Sequence, residues 1–119
     1  MLILIAEDDE LILKTVEHKL KKEGYEVLIA RNGKEAIDLV KVTDVDLVIS
    51  DIMMPFASGT EILAAIRSLG KNIPVIMLSG LGQEEVVLDA FNLGAADFIV
   101  KPFSPIELIL RIKRLTEKK

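Results

Sequence analysis

Leu2-Ile3-Leu4-Ile5-Ala6-Glu7-Asp8-Asp9 is an apolar run that breaks off abruptly on three acids. The pattern returns along the chain. Leu47 to Ser50 stops at Asp51, Val75 to Leu78 at Ser79, and Phe98 to Val100 at Lys101. Each of these runs is followed by a segment with helical spacing, so the chain alternates strand and helix. That alternation predicts an α/β domain with a parallel sheet covered by helices on both faces. Ligands of such sheets bind outside the carboxyl ends of the strands, where the strand order reverses. Three carboxylates, a hydroxyl and an amine are therefore expected at one edge.

Between the runs, Glu10 to Glu23 carries Ile12, Val16 and Leu20 at four-residue steps and stops at Gly24, which predicts a first helix. Tyr25 to Ala30 reads as a second strand, and Asn32-Gly33 turns the chain into a helix carrying Ala36, Ile37 and Val40. After a loop from Asp51 to Gly59, Ile62, Ala65, Ile66 and Leu69 mark a third helix closed by Gly70. Gln83 to Asn92 predicts a fourth, with Val86, Val87, Ala90 and Phe91 inward. Ser104-Pro105-Ile106-Glu107 predicts a capping box at the start of the last helix, with proline at its first position. In that helix Leu108, Ile112 and Leu115 form the core stripe. Ile106 and Leu110 repeat on another face, as a contact surface or as ordinary exposed aliphatics.

The chain has 119 residues, half of them apolar, which suits one compact domain and leaves no room for a second. Its net charge of -4 argues against a surface built to grip nucleic acid. The absence of cysteine excludes disulfides and thiol catalysis, and cytoplasm is the default location. The first residues lack a basic leader and do not resemble a secretion signal. No apolar segment approaches the ~20 residues of a membrane helix, so no membrane partner is expected.

Asp8 and Asp9 stand at a strand-to-helix turn, where an isolated pair reads as one cap and one solvated charge. The pair gains meaning if Asp51 ends the neighbouring strand. Three gathered carboxylates repel strongly, and a hard divalent cation relieves the repulsion; magnesium suits such a site because it keeps several waters and accepts phosphate oxygens. Lys101 adds a point charge for a phosphoryl oxygen or a carboxylate, and Ser79 adds a hydroxyl. A carboxylate nucleophile attacking a phosphoryl donor gives an acyl phosphate. A flavodoxin-like carrier would need a phosphate cradle after the first strand, where this chain places four acids, Glu7 to Glu10. A dinucleotide enzyme would need a glycine fingerprint that is missing.

These motifs together resemble the receiver domains of bacterial two-component response regulators. The resemblance rests on Glu7-Asp8-Asp9, on Asp51 with Met54-Pro55 and Gly59, on Ser79-Gly80, and on Phe98-Ile99-Val100-Lys101-Pro102-Phe103. It runs from end to end, so residues 1–119 are expected to form one receiver domain, free-standing or part of a longer regulator. It implies five strands in the order 2-1-3-4-5 with five helices. It also implies that Asp51 accepts a phosphoryl group from a sensor histidine kinase, with Asp8, Asp9, Asp51 and the backbone carbonyl of Met53 holding Mg2+. Ser79 and Lys101 would bind the phosphoryl group, Phe98 would be the switch aromatic, and Lys101-Pro102 a cis bond. The activity implied is that of a signalling module with limited self-catalysed phosphoryl transfer and hydrolysis. A pseudo-receiver that has lost phosphorylation is disfavoured by the intact set of five side chains. His18, the one histidine, reads as solvated.

The closing segment is most similar to receivers that precede a winged-helix DNA-binding domain. Output is then implied through the fourth helix, fifth strand and fifth helix, toward an output domain, a partner protein or a phosphorylation-dependent homodimer. Asp97, Glu107 and Arg111 match charged positions of that face. No lysine or arginine lies between Gly80 and Val100, however, so the fourth helix offers no basic partner for a symmetrical dimer. Arg111, Lys113, Arg114, Lys118 and Lys119 suit the negative end of a helix dipole rather than nucleic acid. The resemblance also implies that the positions of Met53 and Leu81 flank the path of the hydrolytic water; both are apolar here, which predicts a long-lived phosphorylated state.

Overall fold

The computed structural model describes residues 1–80 and 82–117. Leu81 and the two terminal lysines therefore lie outside the described residues, together with the expectations placed on them. Strands β1 (Leu2–Ala6), β2 (Glu26–Ala30), β3 (Leu47–Asp51), β4 (Val75–Ser79) and β5 (Asp97–Val100) alternate with helices. These are α1 (Glu10–Lys22), α2 (Gly33–Val42), α3 (Gly59–Ser68), α4 (Glu84–Asn92) and α5 (Pro105–Thr116). The strands form one parallel sheet in the order β2-β1-β3-β4-β5, as expected.

Alternation along each strand sends side chains to opposite faces, and both faces are apolar because both are covered by helices. Ile3, Ile5, Ile49, Ile76 and Leu78 meet Leu13, Val16 and Leu20 of α1 and Leu108, Ile109 and Ile112 of α5. Leu4, Val48, Val75 and Met77 meet α2, α3 and α4 through Ala36, Val40, Ile62, Leu63, Ile66 and Ala90. The chain passes from β1 outward to β2 and then returns to β3 on the other side of β1. The β1/β3 edge is thus the switch point.

Two helix starts differ from the expectation. Ser104 caps α5, but its hydroxyl accepts from the Ile106 amide at 3.1 Å, and no capping box forms there. Glu107 is held instead by Arg111, whose guanidinium also binds Asp97 at 2.8 Å; the charged pair outcompetes a bond to a backbone amide. The reciprocal box forms at Ser58 and Glu61, at the start of α3. Phe91 is not inward either: it stays partly exposed and meets Phe98 edge-on, with ring centroids 5.4 Å apart. Ile106 and Leu110 are both exposed.

Candidate functional site

β1 and β3 pair with Ala6 opposite Ser50, so Glu7 and Asp51 are each the next residue along adjacent strands. This register brings carboxylates from two strand ends together. Ligand atoms of Glu7, Asp8 and Asp51 lie within 4.8 Å of one another. Asp51 is 7% exposed and Glu7 is fully buried, whereas Asp8 faces solvent. Asp9 does not join them. Its Oδ1 accepts from the Leu11 and Ile12 amides at 3.0 and 3.3 Å as the cap of α1. The expected pair Asp8 and Asp9 is thus divided between pocket and cap, and Glu7 is the acid that sequence reasoning left out of the site.

Lys101, just past the end of β5, reaches across the sheet edge. Its Nζ donates to Asp51 Oδ2 at 2.8 Å and lies 3.0 Å from Glu7 Oε1. That second contact is off the angle of a hydrogen bond, and Glu7 Oε1 is left buried without a donor. Glu7 Oε2 accepts from the Asp9 amide at 3.2 Å, and Asp51 Oδ1 from the Met53 amide at 3.3 Å. Burial and the Asp51 charge push the Glu7 carboxyl up to about 7, against the opposing pull of Lys101. Burial depresses Lys101, but its hydrogen bond to Asp51 and its ion pair with Glu7 prevail and hold it above the usual lysine value.

Ser79 closes β4 and is 1% exposed, one step beyond Leu78, the partner of Asp51 in the register. The Ser79 carbonyl accepts from the Lys101 amide at 2.6 Å, so the hydroxyl and the ammonium sit on strand ends tied to each other. The Lys101-Pro102 bond is cis. Phe98 is half-buried on β5 against the α2, α3 and α4 side of the core. Met53 is exposed beside the acids. The structure therefore gathers Asp8, Asp51, Lys101 and the unforeseen Glu7 at the switch point, with Ser79 on the next strand end.

The donor set suits a magnesium ion. Three carboxylates and one ammonium leave an excess of negative charge, all offered through oxygen, and one buried carboxylate oxygen lacks any hydrogen-bond donor. Among the described residues no helix is long and apolar enough to cross a membrane.

Comparison with known proteins agrees with this geometry. Residues 3–113 match the family model described as the response regulator receiver domain. Response regulator RR06 of Streptococcus pneumoniae is 40% identical over 118 residues, covering 99% of this chain and 54% of the relative. Response regulator SaeR of Staphylococcus aureus is 40% identical over 113 residues, covering 95% of this chain and 49% of the relative. The chain thus spans about half the length of the curated relatives it matches. Among solved structures, the receiver domain of the Francisella response regulator 1452 superposes with a TM-score of 0.89 at 34% identity, covering 98% of this chain and 96% of that one. The receiver domain of NtrX from Brucella abortus gives 0.90 at 33% identity, covering 98% and 99%. With sheet order, strand-end carboxylates and these likenesses in agreement, the chain belongs to the receiver domain family of the response regulators, which are signalling proteins.

Proposed function

We propose that residues 1–119 act as a phosphorylation-controlled switch in which Asp51 is the phosphoacceptor. The observation that carries this reading is the buried Asp51 carboxylate at the switch point, bonded to Lys101 at 2.8 Å and grouped with two further acids. An Asp51 oxygen attacks the phosphorus of a phosphohistidine on a sensor kinase. The new O–P bond forms as the N–P bond breaks, and the electron pair stays on the imidazole, which takes up a proton.

Lys101 is placed to follow charge from the Asp51 carboxylate to the phosphoryl oxygens, and Ser79 supplies a hydroxyl from the adjacent strand end. Glu7, Asp8 and Asp51 would hold magnesium, with the Met53 carbonyl as a fourth protein ligand; Asp9 remains the cap of α1. Bound magnesium supplies positive charge that draws phosphoryl oxygens into an acidic pocket. Ser79 moving toward the phosphoryl group, and Phe98 turning inward behind it, shift a two-state equilibrium read on the face of α4, β5 and α5. The reader of that face is an output domain, a partner protein or a second copy of the chain. A cytoplasmic location belongs to this reading, since a kinase draws its phosphate from ATP there.

Intact mass after incubation with magnesium and acetyl phosphate tests the proposal. A gain of one phosphoryl group that needs magnesium and is lost in Asp51→Ala supports it. No gain in the unaltered chain turns the reading toward a pure interaction domain.

A further inference from the structure

α4 is lightly packed at its site end. Ala90 is its one fully buried residue, Leu88 and Phe91 are exposed, and an open groove of about 310 Å3 separates it from β5 beside Ser79 and Gln83. Polar contacts hold the region of each end. Past its C-terminus the Arg67 guanidinium donates to the Gly94 carbonyl at 2.9 Å and to that of Ile73 at 3.1 Å. At its N-terminus stands Gln83, whose carbonyl accepts the Val87 amide that opens the helix.

The Gln83 side chain does not cap its own helix. It turns back, and its Oε1 accepts from the Gly80 amide at 2.5 Å. The peptide unit between Ser79 and Gly80 is therefore gripped on both sides. Its carbonyl is taken by the Lys101 amide at 2.6 Å, and its N–H by the residue that starts α4. Ser79 cannot be displaced with its backbone unless Gln83 lets go or α4 follows.

From this geometry we infer that Gln83 is a positioning residue, which holds Ser79 in its resting place and must let go of Gly80 before the strand end is displaced. The inference rests on Asp51 being the phosphoacceptor and Ser79 a phosphoryl ligand. Because the clasp exists only in the resting arrangement, it lowers the population competent for transfer. Loss of one hydrogen bond is worth about three- to tenfold in that population.

The test uses Gln83→Met, which keeps length and helix start but removes the acceptor, and Gln83→Glu, which keeps an acceptor at the same reach. Gln83→Met is expected to exchange the Gly80 amide about three- to tenfold faster. It is expected to gain a phosphoryl group from acetyl phosphate and magnesium faster by a similar factor. Gln83→Glu retains the protection of Gly80. Unchanged exchange at Gly80 in Gln83→Met, or faster exchange with an unchanged or slower phosphoryl gain, overturns the inference. A wild-type chain that gains no phosphoryl group at all overturns the parent reading and the kinetic role with it; exchange at Gly80 then decides the clasp alone.

Discussion

Glu7→Gln is the sharpest probe of the pocket. Glu7 is fully buried, one of its oxygens has no hydrogen-bond donor, and its carboxyl is pushed from 4.5 up to about 7 by burial and by Asp51. A folded-state value above the unfolded one means that the native protein holds the proton more tightly. The associated stability is therefore present in full below about 4.5 and is lost as pH climbs through about 7. At one pH unit per 1.36 kcal/mol, the loss is about 3 kcal/mol, concentrated between those two values. Chemical denaturation at a series of pH values, with chelator present, measures it. The unaltered chain is expected to weaken by about 3 kcal/mol from pH 4.5 to 8, while Glu7→Gln keeps a flat profile and becomes the more stable protein at pH 8. Added magnesium reverses the order at pH 8, because only the unaltered chain offers a third carboxylate beside Asp8 and Asp51. Parallel pH profiles for the two proteins would refute the assignment of the buried charge to Glu7.

Phe56 adopts a φ of 71° and is 83% exposed, closing a three-residue turn in which the Ala57 amide donates to the Pro55 carbonyl at 2.9 Å. Such a turn is strained for a residue with a Cβ, so Phe56→Gly should raise stability in thermal melts by about 1 kcal/mol while Phe56→Ala gains nothing. At Gly33 a Cβ would stand 1.9 Å from the Ala57 carbonyl oxygen. Gly33→Ala is expected to destabilise by about 3 kcal/mol in denaturant and to disturb the loop beside Asp51; a wild-type midpoint would contradict this packing. Arg67→Met removes the bonds to Ile73 and Gly94 and should cost about 2 kcal/mol, with faster amide exchange around Gly94 as its local sign.

The strands and helices were legible because each apolar run has the period of its element. The run endings also pointed to the edge at which Asp51, Ser79 and Lys101 are gathered. What periodicity does not carry is strand order, which came from the likeness of the motifs. Nor does it tell which of three successive acids faces the pocket. That choice depends on the register of β1 against β3, where Ala6 meets Ser50 and Glu7 comes level with Asp51. Asp9, two residues on, is already at the first turn of α1, where free amides claim its carboxylate. The two serine-x-x-glutamate stretches teach the same lesson. Ser58 and Glu61 close a capping box, but Glu107 is drawn off by Arg111, which Asp97 holds in place from β5. A local signal survives only where no tertiary partner competes. Gln83 was invisible for the same reason: nothing in the sequence shows a helix-start side chain turning back to a strand end.

Reduction of the phosphorylated chain with borohydride, followed by peptide mass analysis, measures the central claim most directly, because it converts an aspartyl phosphate to homoserine and marks its position. The account predicts homoserine at position 51 alone, formed only when both magnesium and the phosphodonor are supplied. Homoserine at position 8 or 9, or a phosphoryl group retained on a serine, would contradict it.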